Sequence, residues 1–275
     1  MSLFDAFRYD GLHALVVGGA SGMGSAVVDV LLAAGADVTL LDRARVERGD
    51  VTFVPVDLSD ASSIDDALTG VERHVDALFS CAGVADGTPG IERINFLGHR
   101  HMIDRMLERE LLGRGSAIGM ISSAAGFGWE QNLALLNEYL DITDMDAASE
   151  WAHAHNKADY LWSKLAINAY VAREAFPLLR RGVRLNATLP GPTDTPLARA
   201  NADTWLSFGA DYREAIGAEP STPLEQAYPL VFLCSRAATG ISGITLVADA
   251  GYFTSGVSGT FPSAVDSVGF LRTVF

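Results

Sequence analysis

The sequence predicts a doubly wound α/β fold. Three features carry that expectation: short apolar runs alternate with helical patterns, a Gly-rich turn stands at the first strand–helix junction, and no linker or repeat divides the chain. Its 275 residues suit one large domain over 1–275, and 49% hydrophobic with 20% charged residues is an ordinary globular balance. A net charge of −14 argues against general nucleic-acid or anionic-membrane partners, which need basic surface. It leaves room for a phosphate-bearing cofactor held by backbone N–H groups. Cys81 and Cys234 are too few for a disulfide framework. The first eight residues place Asp5 before any apolar run and lack a basic region, so no signal peptide is expected. No stretch approaches about 18 uninterrupted apolar residues, and a cytoplasmic location is the expectation.

Taken in order, residues 13–17 read as a strand that meets the Gly-rich turn. A helix follows over 23–32 with Val27, Val28, Leu31 and Leu32 as its apolar positions, ended by Gly35. Strands are expected at 36–41 and 51–56, a polar helix at 59–68, and a fourth strand at 75–81. A long helix over 94–112 leads to a fifth strand at 116–122. After a long segment comes the helix that begins near Tyr160, then a strand at 183–189 closed by Pro190-Gly191-Pro192. A helix at 222–235 and a strand at 243–247 complete the pattern. Strands separated by helices pair in parallel through right-handed crossovers.

Gly18-Gly19-Ala20-Ser21-Gly22-Met23-Gly24 follows a strand and opens a helix. Glycines there permit positive φ and close backbone approach, and the helix N-terminus offers N–H groups to a pyrophosphate. Asp42 stands at the end of the next strand, where a carboxylate accepts hydrogen bonds from adenosine ribose hydroxyls and repels a 2′-phosphate. NAD is therefore expected over NADP, although Arg43 beside it offers a guanidinium for a 2′-phosphate.

Tyr160 and Lys164 lie four positions apart, so on a helix they share a face one turn apart. Moving a phenol from about 10 toward 7–8 takes roughly 3–4 kcal/mol. A helix dipole supplies about 0.3–1 kcal/mol, whereas a lysine charge roughly 4 Å away supplies on the order of 4 kcal/mol at an effective dielectric near 20. Lys157 and Lys164 are the only lysines of the chain. Alone, the spacing also suits an ordinary surface pair.

Together, Gly18-x-x-x-Gly22-x-Gly24 and Tyr160-x-x-x-Lys164 resemble the short-chain dehydrogenase/reductase family, single-domain branch, over about residues 12–252. That resemblance implies a seven-stranded Rossmann-like sheet and nicotinamide-dependent alcohol–ketone chemistry. It assigns Asp57, with Leu58 beside it, to the adenine. Ser80-Cys81-Ala82-Gly83 stands where the family has Asn-Asn-Ala-Gly, so Ala82 and Gly83 match while Ser80 and Cys81 depart. Asn95 matches the asparagine that holds a relay water, and Ser123 the catalytic serine, with Ser122 as the alternative. Pro190, Gly191, Pro192, Thr193 and Thr195 match the loop that receives the nicotinamide carboxamide. A finer likeness, to bacterial 3α-hydroxysteroid dehydrogenase/carbonyl reductases and coniferyl-alcohol dehydrogenases, rests on a long insertion at about 127–156 between Ser123 and Tyr160.

Within that insertion Trp129, Leu133, Leu136 and Leu140 form a helical apolar stripe, readable as core or subunit packing or as a substrate wall. Asp141, Asp144 and Asp146 after it lack calcium-loop spacing and read as a solvated turn. The segment at about 197–220, with Trp205, Leu206 and Phe208, is expected to close over substrate; Arg199 and Arg213 could instead meet a carboxylate. An apolar tail at about 253–275, with Phe253, Phe261, Phe270 and Phe275, is expected to pack on a neighbouring subunit, in a homodimer or homotetramer. His99 and His101, like His153 and His155, are two apart and point away from each other on a helix, so no metal site is expected. Asn186-Ala187-Thr188 has the form of a glycosylation sequon but lies in a predicted buried strand. The expected activity is NAD-dependent interconversion of a hydrophobic, cyclic or aromatic secondary alcohol and its ketone, or a related alcohol/aldehyde pair. The alternatives are a catalytically silent NAD-binding regulator, an NADP-dependent ketoreductase, and a dehalogenase-like lyase, which would lack the Gly-rich turn.

Overall fold

Buried apolar strands can satisfy their backbone groups only by pairing with one another, and seven do so here. A computed structural model describes residues 3–273, with side chains from Phe4 to Arg272; residues 1, 2, 274 and 275, including Phe275 of the predicted tail, lie outside the described residues. The strands are β1 (His13–Val17), β2 (Asp37–Asp42), β3 (Thr52–Pro55), β4 (Ala77–Ser80), β5 (Ala117–Ile121), β6 (Arg184–Pro190) and β7 (Thr245–Ala248). They form one parallel sheet of order β3-β2-β1-β4-β5-β6-β7. The predicted strands are all present, most of them trimmed by a residue or two at an end.

Successive side chains leave a strand on opposite faces, and β1 shows the result. Leu15 and Val17 join one buried cluster, whereas Ala14 and Val16 join the other. Helix α1 (Gly22–Ala33) covers the second face together with α10 (Pro223–Cys234). The first face carries α2 (Ala61–Thr69), α3 (Gly98–Glu108) and the 21-residue α6 (Tyr160–Arg180). The sequence reads 94–112 as one helix; instead a π-helical turn at Arg93–Leu97 precedes α3, and the helix ends at Glu108.

The insertion folds into α4 (Leu133–Asp141) and α5 (Met145–Ala154) behind the same face. Leu136 and Leu140 are buried in its cluster and Trp129 packs against it, while Leu133 stays 43% exposed. Tyr139 lies 5.9 Å from Phe96, 5.2 Å from Trp151 and 6.0 Å from Trp162, ring centre to ring centre. The three acids after the stripe are not a merely solvated turn. Asp144 caps α5 by accepting the Ala147 N–H, and Asp141 and Asp146 pair with Arg173 and Arg93. Capping and ion pairing both favour an acid at such helix junctions.

Beyond β6 come the short helices α7 (Pro196–Arg199), α8 (Ala202–Trp205) and α9 (Ala210–Ile216), and beyond β7 come α11 (Tyr252–Ser258) and α12 (Pro262–Thr273). A third apolar cluster joins Tyr252, Phe253, Val268 and Leu271 to Phe127, Phe208 and Tyr212. The tail was expected to seek a neighbouring subunit, yet Phe253 is 1% exposed and stacks on Phe127 at 4.3 Å within its own chain. Phe261 packs edge-on to Tyr212. Asn186 is buried in β6 and donates its amide to the Ile241 carbonyl, as its sequon's predicted strand placement implies. No helix among the described residues is long and apolar enough to cross a membrane.

One buried charge holds the far side together. Arg184 donates to the carbonyls of Leu233, Ala238 and Ile241 through one terminal nitrogen, and to those of Cys234 and Ser235 through the other. A guanidinium suits this place because the carbonyls at a helix C-terminus carry partial negative charge. Replacing it with Met leaves those acceptors unpaired, at a cost of about 2–4 kcal/mol. Arg184→Met should therefore lower the thermal midpoint by roughly 5–10 °C in a calorimetric scan; a shift under a degree or two would contradict this role.

Candidate active site

The sheet order reverses between β1 and β4, because the chain winds outward to β3 and then returns to the other side of β1. Such a reversal opens a crevice at the strands' carboxyl ends. There the backbones of Gly18 and Ala82 nearly touch: a Cβ on Gly18 would lie 2.4 Å from the Ala82 Cα. A Cβ on Gly24 would meet the Gly18 carbonyl oxygen at 2.0 Å, so no larger residue fits either position. Ser21 is the N-cap of α1, and its hydroxyl makes no capping hydrogen bond.

A groove of about 230 Å³ runs across this point, lined by Gly18, Ser21, Gly22, Met23 and Gly24, then Asp42, Asp57 and Leu58, and on the other bank Ala82 and Gly83. Asp42 accepts the Ala20 N–H at 3.0 Å and the Ala44 N–H at 2.8 Å, which ties the Gly-rich turn to the end of β2. Each of its oxygens keeps an acceptor site for a ligand hydroxyl. Asp57 accepts from the hydroxyl and the N–H of Ser59, which hold its carboxyl below the usual range. The exposed Arg43 lines the same groove and acts on Asp57 by its charge. These residues fit a dinucleotide: helix N–H groups and a free serine hydroxyl for the pyrophosphate, and a carboxylate at the ribose end.

The groove continues into a cavity of about 390 Å³ that holds Ser123, Tyr160 and Lys164 together. Asp159 caps α6 by accepting the Trp162 N–H at 2.7 Å, and Asp86 accepts the Tyr160 N–H at 2.8 Å. That first turn places Tyr160 against Ser123, whose hydrogen bond pulls the phenol's pKa down. Burial outweighs it and raises Tyr160 to about 12, with the Asp86 charge acting in the same direction. Lys164 is 4% exposed, donates to the Ile121 carbonyl at 3.1 Å, and stands 5.4 Å from the Tyr160 ring centre. Burial lowers it to about 8. The lysine was expected to bring the phenol toward 7–8; instead desolvation by burial dominates at both groups.

The structure separates the two serines. Ser122 donates to the Lys164 backbone carbonyl at 3.2 Å and so braces α6, whereas Ser123 reaches Tyr160. Asn95 is fully buried in the π-helical turn, where its amide clamps Val84, accepting its N–H at 2.7 Å and donating to its carbonyl at 3.0 Å. A Cβ on Gly83 would lie 3.5 Å from the Asn95 oxygen and 3.8 Å from the Lys164 nitrogen, so only a bare backbone separates them. Pro190, Gly191, Pro192, Thr193 and Thr195 all line the cavity. The Pro192 carbonyl accepts from the Ser221 N–H, and the Thr195 hydroxyl caps α7 through the Ala198 N–H, which leaves its proton to donate.

Apolar walls complete the cavity: Leu197, Trp205 and Phe208 from the predicted lid, and Phe270 and Leu271 from α12. The Trp205 ring centre lies 4.9 Å from that of Tyr160. No residue of the 127–156 insertion lines the cavity, so its stripe is packing and not a substrate wall. Arg199 is held by both oxygens of Asp194, and Arg213 by the carbonyls of Leu206 and Phe208; neither lines the cavity. Sequence reasoning did not single out Asp86, which no motif marks, or Phe270 and Leu271 as cavity residues. His99, set aside as a metal ligand, lies with Nε2 3.1 Å from the Ala82 carbonyl, and burial lowers it to about 4, so it is a neutral donor.

A protein-family model described as enoyl-(acyl carrier protein) reductase matches residues 18–253. Coniferyl-alcohol dehydrogenase of Pseudomonas sp. strain HR199 is 28% identical over 249 residues, covering 86% of this chain and 94% of that protein. The 3-alpha-hydroxysteroid dehydrogenase/carbonyl reductase of Comamonas testosteroni is 32% identical over 253 residues, covering 86% and 95%. Among solved structures, the 3-alpha-hydroxysteroid dehydrogenase from Pseudomonas sp. B-0831, complexed with NADH, superposes with a TM-score of 0.73 at 27% identity, covering 90% of this chain and all of that one.

The buried lysine has a measurable cost. Between about pH 8 and 10.5 the unfolded chain holds the Lys164 proton that the folded chain has released, so this group makes stability rise with pH there. Below that window its burial costs about 3 kcal/mol, at 1.36 kcal/mol per pH unit. Lys164→Met should therefore unfold at a higher temperature than wild type at pH 7, and the advantage should shrink from pH 8 to 10. A variant less stable at pH 7 by an amount independent of pH would contradict the assignment.

Proposed function

Because this chain belongs to the short-chain dehydrogenase/reductase family, an oxidoreductase family acting on alcohols and ketones, we propose that it uses NAD to interconvert a neutral, hydrophobic, cyclic or aromatic alcohol and its carbonyl form. The observation that carries this reading is the cavity around Ser123, Tyr160 and Lys164, whose lining, among the described residues, contains no Asp, Glu, Arg or His. A substrate carboxylate would find no positive charge in that lining except the lysine already facing Tyr160. The relatives' named activities, on coniferyl alcohol and on a hydroxysteroid, belong to ring-bearing alcohols. A cytoplasmic homo-oligomer completes the reading, supported by the exposed Leu224 and Tyr228 one turn apart on α10 and Val247 on the edge strand β7.

In the oxidative direction the Tyr160 phenolate accepts the hydroxyl proton while the Ser123 hydroxyl donates to the same oxygen, which steadies the charge developing there. Lys164 stabilises the phenolate and fixes the geometry through Ile121. Asn95, beside Lys164 across Gly83, holds the water that passes the proton onward. When bound, the nicotinamide supplies the hydride acceptor or donor and, oxidised, a positive charge that favours the phenolate. Asp42 at the ribose end supports NAD. A second reading, use of NADP, is favoured by Arg43 in the same groove.

The test follows NADH absorbance with NAD and a panel of steroid, terpenoid and aryl alcohols. Reduction of NAD with at least one ring alcohol is expected; cofactor binding without any turnover would favour a silent NAD-binding protein. Tyr160→Phe should lower kcat by on the order of 10³-fold and leave NAD affinity nearly unchanged, and a mutant keeping most of its rate would sink the acid–base role. Asp42→Ala should raise the preference for NADP relative to NAD by about tenfold, equivalent to ~1.4 kcal/mol. An unchanged ratio would return the cofactor question to Arg43.

A further inference from the structure

An exposed phenylalanine at the rim of an apolar cavity calls for a reason other than core packing. Phe270 is 64% exposed, yet it lines the cavity that holds Ser123 and Tyr160. Its neighbour Leu271 lines the same cavity while being 9% exposed within the cluster of Phe253, Phe127 and Phe208. Helix α12 therefore turns one residue into the protein and presents the next at the cavity mouth.

The helix is anchored well enough to serve as a wall. Gly256 of α11 lies flush against it, since a Cβ there would stand 2.3 Å from the Ala264 carbonyl oxygen. The Tyr252 hydroxyl is 2.7 Å from that of Ser267. The Arg272 guanidinium lies 5.6 Å from the Phe127 ring centre, and a Cβ on Gly128 would be 3.1 Å from the Leu271 carbonyl oxygen. These contacts fasten α12 to the start of the insertion, which itself does not reach the cavity. Helix α8 contributes Trp205 to the same cavity, with its ring centre 4.9 Å from that of Tyr160. A substrate whose oxygen reaches Ser123 and Tyr160 has its remaining atoms in the cavity that both elements help to wall.

We propose that α12 is the substrate-selecting wall of this active site, with Phe270 and Trp205 gripping the ring of a neutral alcohol or ketone from two separate elements. Phe270 is thus a specificity residue, supplied by the protomer's own chain. The inference rests on the alcohol–ketone reading and goes beyond it by naming what discriminates ring-bearing from acyclic substrates.

The experiment compares wild type, Phe270→Ala and Phe270→Leu with NAD and two classes of neutral secondary alcohol, ring-bearing (a steroid and an aryl carbinol) and small acyclic. Phe270→Ala should lower kcat/KM for the ring-bearing class about tenfold, mainly through KM, and change the acyclic class less than twofold. Phe270→Leu should recover part of the loss. Val265→Ser, on the same helix but outside the cavity, should leave the ratio between classes unaltered. Equal loss on both classes together with weaker NAD binding would make α12 merely structural and overturn the proposal, as would an unchanged ratio. Displacement of a hydrophobic fluorescent dye from the cavity by a cyclic ketone is measured in parallel. If wild type turns over no alcohol, the alcohol–ketone reading falls, and the wall then stands if Phe270→Ala weakens ketone displacement about tenfold and falls if it does not.

Discussion

A lysine ammonium buried in an apolar cavity is the constraint on which the site depends. Only 4% of it is exposed, so the protein brings acceptors and π-faces to a fixed place. The Ile121 carbonyl at the end of β5 is one, and the Tyr160 ring is another. Gly83 runs beside both Lys164 and Asn95, where a Cβ would lie 3.8 Å from the ammonium nitrogen and 3.5 Å from the amide oxygen. Ser122 braces the Lys164 backbone, and Asp86 and Asp159 hold the first turn of α6. Sheet end, helix start and loop are therefore set relative to one another around one buried amine.

The layers around that charge divide their work. Behind the sheet, the insertion adds packing: its aromatic side chains meet Phe96 and Trp162 on the elements that carry Asn95 and Tyr160. In front, the lid and α12 form apolar walls, and burial makes the phenol and the amine costly to ionise. The same burial strengthens any charge interaction that forms there.

Local chemistry was legible in the sequence to a large degree. The alternation of strands and helices, the Gly-rich turn and the Tyr160–Lys164 spacing follow from periodicity, steric freedom and helical geometry, and the structure brings the turn and the pair to one cleft. Long-range partnership was not legible. Nothing in the residues near Asp86 says that its carboxylate will cap a helix 74 positions later. The tail's aromatic residues announce burial but not against what, so Phe253 was assigned to a subunit contact and is instead buried in its own chain. The phenol's pKa differs from expectation for a related reason: a neighbouring charge is visible in the spacing of residues, whereas the burial of both groups is not.

The π-helical turn at Arg93–Leu97 has a consequence for how this chain can change over time. Its widened bond, from the Gly98 N–H to the Arg93 carbonyl, accommodates one residue more than an α-helical turn would. Removing a residue there would restore regular winding and rotate everything upstream by about 100° relative to α3. Asn95 would leave Val84 and Gly83, while Gly98 would lose the close approach in which a Cβ would sit 2.2 Å from the Leu58 carbonyl oxygen. A length change in this stretch moves Asn95 and Gly98 together, so insertions and deletions should avoid these five residues.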